Sequence, residues 1–240
     1  MAKKRAEIRV LLNQKGGVGK STTSMNLAAT TADTLTGGNV DAESETALVS
    51  IDPQGSVLWW GNQVPNLPFH LVQSDYDRID LLRALPNSPT IKHFFVDTPG
   101  WIGHTGTDND PVAGLPFAEA LHAILDVATQ VIVPIEPEPL GFDPTARTIE
   151  RLLKPRGLDY RVVINNWDPR DGKSDLEQTQ DYVRANGWPL AKTVIRHYKL
   201  NSRAPADGQV VTTYPKNRTG VECRLDYSKL ALELNIGGGH

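Results

Sequence analysis

The 240-residue sequence has a single cysteine, Cys223, and this scarcity excludes two classes of protein. One thiol cannot form an internal disulfide, and it leaves no set of thiolates for a metal cluster such as an iron–sulfur cluster. Long apolar runs are also missing, since none approaches the ~18 residues that a membrane-spanning helix requires. Basic residues are not in excess, because 25 Lys and Arg face 28 Asp and Glu, for a formal net charge of −3. A uniformly basic nucleic-acid binder is therefore excluded.

What the sequence does contain is the composition of an ordinary globular domain, 39% hydrophobic and 22% charged. This composition rules out wholesale disorder, and the length suits one domain. We expect a single domain over residues 1–236, with 237–240 as a flexible tail or cloning scar. The apolar run Ile8–Leu12 is too short for the core of a signal peptide and contains Arg9. We therefore expect a cytoplasmic protein without membrane attachment.

Short apolar runs alternate with longer mixed ones along the whole chain. Near-continuous apolarity within the short runs is typical of strands that are buried on both faces of a parallel sheet. Strands are predicted at Ile8–Asn13, Ala47–Ile51, His93–Val96, Val131–Ile135, Arg161–Ile164 and Thr193–Ile195. Helices are predicted at Lys20–Thr34, Val112–Ala128, Pro144–Leu153 and Asp175–Asn186, the third with Asp143 as its N-cap. The alternation predicts an α/β fold, doubly wound, with a mostly parallel sheet and helices on both faces.

A glycine-rich segment between the first predicted strand and helix is the strongest functional signal. It reads Asn13-Gln-Lys-Gly-Gly-Val-Gly-Lys-Ser-Thr22. Glycines allow successive backbone N–H groups to converge on phosphate oxygens, and the helix N-terminus adds partial positive charge. Lysine can then reach the terminal phosphates, and the following serine hydroxyl can bind Mg²⁺. The predicted nucleotide-binding residues here are Gly16, Gly17, Val18, Gly19, Lys20, Ser21 and Thr22.

This loop departs from the usual phosphate-binding pattern at two positions. Gln14 stands where the pattern has its first glycine, and a second lysine, Lys15, opens the loop. The segment thereby resembles the deviant Walker A loop of the ParA/MinD superfamily of P-loop ATPases. The resemblance implies Mg-ATP as cofactor, ADP as product and a homodimer that sandwiches the nucleotide. It also implies that Lys15 reaches the partner's phosphates and acts with Lys20 in catalysis.

Two aspartates follow consecutive predicted strands, in Ile51-Asp52-Pro-Gln-Gly55 and Phe95-Val-Asp97-Thr-Pro-Gly100. An Asp-Pro pair is often only a turn, but two such aspartates downstream of a phosphate loop favour a site for phosphoryl transfer. In the family, the position of Asp52 orients the attacking water near Mg²⁺, and that of Asp97 holds the metal's water shell with Ser21. Ser50 replaces a further aspartate of many relatives, which points to slow hydrolysis. Asn165 matches the base-contacting position of the family, although a turn-forming Asn pair with Asn166 explains it nearly as well.

Two further stretches resemble small plasmid-type ParA proteins that lack an N-terminal helix-turn-helix domain. The proline-rich Val131–Leu140 matches a segment at the family's dimer interface, or is only a rigid loop. Residues 192–229 contain eight Lys and Arg and three Asp and Glu, so their formal charge is +5 and the rest of the chain carries −8. Such a segment is a candidate footprint for the phosphate backbone of DNA, or a solvated face. The candidate DNA-binding residues are Arg196, Lys199, Arg203, Lys216 and Arg218.

The function implied by the resemblance is plasmid or chromosome partition. An ATP-bound dimer would bind non-specific double-stranded DNA, associate with the nucleoid, and be released when a ParB-like centromere-binding adaptor stimulates hydrolysis. The alternative is an ATP-gated scaffold that positions a protein cargo without binding DNA. The loop Gly100–Gly114 follows a predicted strand end, so it is either a nucleotide-side switch loop or an exposed connection.

Overall fold

A six-stranded parallel sheet lies at the centre of the molecule, in the strand order β3-β2-β4-β1-β5-β6. The computed structural model describes residues 5–39, 41–74, 76–102 and 110–235. The strands are β1 Glu7–Leu11, β2 Thr46–Ser50, β3 His70–Gln73, β4 His93–Asp97, β5 Gln130–Ile135 and β6 Tyr160–Ile164. Every strand pair is parallel, and consecutive strands are joined by crossovers, as the near-continuous apolar runs predict.

Helices cover both faces of this sheet. They are α1 Lys20–Thr36, α2 Ser56–Gln63, α3 Ile79–Ala84, α4 Ala118–Val127, α5 Phe142–Arg147, α6 Ser174–Ala185, α7 Lys199–Asp207 and α8 Arg218–Glu233. Successive side chains of a strand point to opposite faces. Within β1, Val10 therefore joins an apolar cluster with Leu121 of α4, and Leu11 joins a second cluster with Met25 of α1 and Tyr227 of α8. The doubly wound α/β fold is confirmed.

Three of the four predicted helices begin and end within two residues of their predicted bounds. The helix predicted from Pro144 continues from α5 into a wider π-type segment, Thr148–Leu153. Its predicted N-cap is wrong, because a 3₁₀ turn at Pro139–Gly141 leads directly into Phe142 and Asp143 lies in the first helical turn. The segment predicted as Val112–Ala128 is helical only from Ala118, after a series of turns.

Two strand assignments differ from the prediction. The segment Thr193–Ile195 is not a strand, since the carboxylate of Glu233 in α8 accepts the Thr193 backbone N–H (2.9 Å) and diverts it from the sheet. The backbone N–H of Ile195 still donates to Ile164 in β6 at 2.9 Å. Conversely, β3 was not predicted, because an edge strand with two half-exposed apolar residues has no continuous apolar run.

The strand register places the two predicted aspartates at one edge of the sheet. Leu11 of β1 and Ser50 of β2 both pair with Asp97 of β4, so these three strands end in one row. The glycine-rich loop leaves this edge after β1, and Asp52 leaves it after β2. Among the described residues, no helix has both the length and the apolar character needed to cross a bilayer.

Candidate functional site

The glycine-rich loop between β1 and α1 folds as a compact turn that ends at the N-terminus of α1. Gly17 and Gly19 adopt φ of 82° and 81°, a left-handed conformation that favours glycine. At Gly19 space is limiting as well, because an added Cβ would overlap the Asn165 side chain. The loop therefore requires glycine at these positions, as its sequence indicates.

Neighbouring elements hold the first residues of this loop in place. The Asn13 side-chain amide donates to the backbone oxygen of Pro134 and to the Thr145 hydroxyl, both at 2.8 Å. Its side-chain oxygen accepts the backbone N–H of Lys15 at 3.0 Å. The backbone N–H of Gln14 donates to Thr148 at 2.9 Å. These threonines lie in α5 and in the π-type segment, a geometry that is frequent at functional sites. This support was not predicted from the sequence.

Lys20 lies inside the loop rather than in solvent. Its Nζ donates to the backbone oxygens of Asn13 (3.1 Å) and Lys15 (3.0 Å), and the residue is 6% exposed. Burial lowers the pKa of Lys20, while the nearby Asp97 and Asp52 carboxylates raise it in part. The ammonium group therefore satisfies loop carbonyls here, and it lies beside the cleft where phosphates would bind.

Ser21 and Asp97 form the second part of the site. The Ser21 hydroxyl donates to Asp97 Oδ2 at 2.8 Å, whereas Asp97 Oδ1 is buried without a hydrogen-bond partner. Burial raises the pKa of Asp97 to about 7, against the opposing effects of the Ser21 hydrogen bond and the Lys20 charge. A hydroxyl, a carboxylate and an unpartnered buried oxygen fit a hydrated Mg²⁺. Among the described residues no group of three or more His, Cys, Asp or Glu could hold a metal, so bound phosphates and water would supply the remaining ligands.

Asp52 lies across the same cleft, directly after β2. Its Oδ1 accepts the backbone N–H of Gln54 at 2.9 Å, and its own N–H donates to the Ser50 hydroxyl at 3.2 Å. The buried Ser50 thus takes part in the turn that holds Asp52. The cleft has a volume of about 430 Å³. Its lining includes most of the predicted phosphate and metal residues, namely Gly16, Gly17, Gly19, Lys20, Ser21, Thr22 and Asp52.

The lining also includes Gln54 and Thr98, to which the sequence assigned no role, and Gly100, the first residue of the predicted switch loop. Gly100 packs so closely on the loop that an added Cβ would lie 3.1 Å from the Gly16 Cα. The signal was present, since Thr98 and Gly100 belong to the motif that follows Asp97. Of the predicted switch loop Gly100–Gly114, residues 103–109 lie outside the described residues, as do residues 237–240 of the predicted tail.

A second cleft of about 170 Å³ adjoins the first and shares Gly17, Gly19 and Thr22 with it. Asn165 lies in this cleft, but its side-chain amide donates to the Val18 backbone oxygen at 2.8 Å and so holds the loop. The remaining lining follows β5 and β6 or comes from the first residues of α7 and the segment before it: Glu136, Asn166, Arg196, Tyr198, Asn201 and Ser202.

Lys15 lies at the mouth of the site. Its Nζ is 3.4 Å from Glu138 Oε1, in the proline-rich segment after β5, and the two side chains are 30% and 42% exposed. The pair is therefore accessible to solvent and contributes little to stability. The residue predicted to act on a partner's phosphates thus lies at the surface beside the cleft.

The five candidate DNA-binding residues fall into two groups. Lys199, Arg203, Lys216 and Arg218 are exposed on α7, on α8 or between them. Arg203 lies 3.5 Å from Asp207, and Arg218 lies 2.8 Å from Glu222, within α7 and α8 respectively. Arg196 is different, because its guanidinium turns inward and forms two hydrogen bonds of 2.9 Å with the buried Asp226. The structure places it in the second cleft, and its Nη1 lies 3.4 Å from Glu222, which also pairs with Arg218.

Comparison with known proteins finds relatives over most of the chain. The CobQ/CobB/MinD/ParA nucleotide binding domain matches residues 10–211. The Maintenance of carboxysome distribution protein A of Gloeobacter kilaueensis is 32% identical over 94% of this chain and 92% of its own length. The Chromosome-partitioning ATPase Soj of Thermus thermophilus is 28% identical over 96% of each chain.

Solved structures agree in fold. The MinD protein of Pyrococcus horikoshii complexed with Mg-ADP superposes with a TM-score of 0.65 at 17% identity, over 96% of each chain. An ATP complex of a McdA variant from Cyanothece superposes with a TM-score of 0.69 at 12% identity, over 98% of each chain. The chain belongs to the family of the CobQ/CobB/MinD/ParA nucleotide binding domain.

Proposed function

We propose that this chain is a Mg²⁺-dependent ParA-type ATPase that acts in DNA partition through an ATP-dependent dimer on non-specific DNA. The observation that carries the proposal is the convergence of Lys20, Ser21, Asp52 and Asp97 on one cleft beside Lys15. Each residue type supplies a requirement of phosphoryl transfer, which asks a protein mainly for positioning and charge stabilisation.

The hydrolytic roles follow from the positions of the side chains. The ammonium group of Lys20 gives up its hydrogen bonds to the loop carbonyls and binds phosphate oxygens instead. The backbone N–H groups from Gly16 to Thr22 bind the same phosphates. Ser21 and Asp97 would hold Mg²⁺ through its water shell, and the bound ion would supply positive charge beside the phosphates. Asp52 orients the attacking water. Because Ser50 stands where many relatives have an aspartate, hydrolysis is slow. Slow hydrolysis suits a protein whose ATP-bound state must persist before release.

Lys15 couples nucleotide binding to dimer formation. In the isolated chain its ammonium group pairs weakly with Glu138 at the surface, so little free energy holds it there. We infer that it leaves this pair to contact phosphates bound by a second copy. ATP binding and dimer formation then become one event, and hydrolysis reverses both.

Residues 192–229, here called the basic C-terminal stretch, form the proposed DNA-binding surface. Four exposed cations, Lys199, Arg203, Lys216 and Arg218, are carried by α7, α8 and the segment between them. Each dimer would present them twice, and neutralisation of phosphates releases counterions. A ParB-like adaptor bound to a centromere would stimulate hydrolysis and release the dimer from the nucleoid in the cytoplasm.

A scaffold that positions a protein cargo is the second candidate. It is favoured by the 32% identity with a protein named for the maintenance of carboxysome distribution. The cofactors and the dimer are the same in both cases. Binding to DNA of arbitrary sequence separates the present proposal from a scaffold that needs none.

The test is fluorescence anisotropy with labelled duplexes of two unrelated sequences, with Mg-ATP, with Mg-ADP or without nucleotide. We expect binding with Mg-ATP alone and equal affinity for both duplexes. About eight phosphate contacts in a dimer would lower the affinity about 10⁴-fold between 50 and 200 mM salt. A dimer that forms with Mg-ATP and binds neither duplex would overturn the DNA-tethering proposal and leave the cargo scaffold.

A further inference from the structure

We propose that the base of the bound nucleotide stacks on the guanidinium group of Arg196, which Asp226 and Tyr198 hold in place. Arg196 therefore does not contact DNA. This inference rests on the proposed function, because it requires a nucleotide whose phosphates lie at the glycine-rich loop. It also assigns a role to Asp226, which positions Arg196.

The two clefts define where a nucleoside can lie. Both are lined by Gly17, Gly19 and Thr22, so a ligand with phosphates in the first extends past these residues into the second. Arg196 and Tyr198 line the second cleft and are absent from the lining of the first. A side chain at this place meets the base or the sugar and leaves the phosphates to the loop.

The hydrogen bonds of Arg196 determine which of its surfaces is available. Its Nε and Nη2 donate to the two carboxylate oxygens of Asp226, each at 2.9 Å, and Nη1 donates to Glu222 at 3.4 Å. These hydrogen bonds use the edges of the planar guanidinium group, so stacking contacts involve its two faces. Tyr198 lies on one side, with its ring centroid 5.4 Å from the Arg196 Cζ. A planar guanidinium stacks well on aromatic rings, and a purine is such a ring.

Asp226 holds this geometry from the buried side of α8. It is 5% exposed and also accepts the Tyr198 hydroxyl at 2.8 Å and the Arg196 backbone N–H at 3.4 Å. A buried carboxylate needs such a full set of donors, and the bidentate contact fixes the guanidinium plane. The hydrogen bond to Asp226 also raises the pKa of Arg196, which is consistent with a permanently charged group.

The same contacts argue against a role in DNA binding. Arg196 pairs with two carboxylates, Asp226 and Glu222, and Arg218 pairs with the same Glu222, so two cations face two carboxylates and leave no excess positive charge for a phosphate. Its side chain is 28% exposed, whereas that of Arg218 is 91% exposed. A DNA phosphate would have to displace a bidentate, partly buried pair.

The experiment compares binding of ATP with binding of inorganic tripolyphosphate, both with Mg²⁺, by isothermal titration calorimetry. Tripolyphosphate probes the phosphate site and has no base. For Arg196→Gln we expect the affinity for ATP to fall about tenfold, the loss of one stacking contact, and the affinity for tripolyphosphate to change by less than about twofold. Arg196→Lys keeps the charge without the plane and should resemble Arg196→Gln.

Two further variants separate positioning from folding. Tyr198→Phe removes one hydrogen bond to Asp226 and keeps the ring, so we expect a smaller loss, again for ATP alone. Arg184→Gln, an exposed arginine of α6 paired with Asp181, is the matched control and should bind both ligands as the wild type does. Circular dichroism melts establish that each variant is folded.

Each outcome bears on the inference. Equal loss of ATP and tripolyphosphate in Arg196→Gln, or full ATP affinity in Arg196→Lys, overturns it. So does an Arg196→Gln protein that keeps wild-type ATP affinity, or one that loses DNA binding when ATP is saturating. A wild-type protein that binds neither ATP nor tripolyphosphate overturns the proposed function together with the inference.

Discussion

Two regions of the molecule contain many charged residues: the edge of the sheet that carries Lys20, Asp52 and Asp97, here called the nucleotide edge, and the basic C-terminal stretch. The charged side chains are buried in the first region and mostly exposed in the second. At the nucleotide edge, Lys20, Asp52 and Asp97 are at most 8% exposed, and Lys20 and Asp97 have shifted pKa values. In the basic C-terminal stretch, the cations apart from Arg196 are mostly exposed to solvent. Arg203 pairs with a carboxylate of its own helix, α7, and Arg218 pairs with one of α8.

This difference follows from the cost of burial. A charge that has been taken out of water needs specific partners, so its position and identity are fixed by the fold. An exposed charge is screened, pairs weakly and can be replaced by another at little cost. Single substitutions should therefore have large effects at the nucleotide edge and small, additive effects in the basic stretch.

The largest effect is expected from Lys20→Ala. Removal of the ammonium group deprives the phosphates of a buried cation, so we expect ATP turnover to fall about 10²- to 10³-fold. Phosphate release at saturating Mg-ATP measures it, and Lys173→Ala, an exposed lysine before α6, is the control. Wild-type turnover in Lys20→Ala would place the essential cation elsewhere and remove the basis of the comparison.

The next effect concerns Lys15, a half-exposed charge at the nucleotide edge. For Lys15→Gln we expect ATP affinity within about twofold of wild type but no dimer with Mg-ATP, because its partner is a phosphate of the second copy. Sedimentation velocity with and without Mg-ATP measures the dimer.

Glu138→Gln is the matched variant for Lys15, because it breaks the same ion pair from the other side and leaves the lysine in place. We expect it to dimerise. Loss of the dimer in both variants would assign the effect to the ion pair, and a Lys15→Gln protein that dimerises normally would contradict the role across the interface.

Sequence reasoning succeeded where the chemistry lies within one motif at a strand end. Lys20 and Ser21 follow the glycine-rich loop, and Asp97 ends a buried run, so the parallel strand register alone brings them together. The same reasoning could not find Thr145 and Thr148, because their contacts to the loop span more than 130 residues of sequence and depend on the packing of α5.

Charge counting failed at Arg196 for a related reason. A sum over residues 192–229 treats every cation as exposed, whereas the hydrogen bonds to Asp226 depend on α8 lying against the segment that precedes α7. The strand predicted at Thr193–Ile195 failed similarly, because Glu233 of α8 takes the backbone N–H of Thr193. Partners that are distant in sequence decided both cases.

A smaller effect is expected in the basic stretch. For Lys199→Gln, the slope of log affinity for DNA against log salt should decrease by about 2, one contact from each protomer of a dimer. Anisotropy titrations at several salt concentrations with saturating Mg-ATP measure the slope. Lys199→Gln and Lys216→Gln should act additively, since exposed charges are independent. An unchanged slope in the double variant would show that the exposed cations of this stretch contact solvent and not DNA. Arg184→Gln is the control.

The smallest effect concerns the framework of the basic stretch and leaves its charge unchanged. The Asn217 side chain caps α8 by accepting the Gly220 backbone N–H at 2.9 Å. Asn217→Ala should cost about 1 kcal/mol of unfolding free energy and lower Tm by about 2–4 °C in a thermal melt. Asn217→Asp keeps an acceptor at the helix start and should restore most of the stability. Because Lys216 and Arg218 flank this cap, the same two variants also test whether exposed cations need a fixed position. If Asn217→Ala weakened DNA binding more than Lys216→Gln does, the basic stretch would depend on geometry as the nucleotide edge does, and the contrast between the two regions would fail.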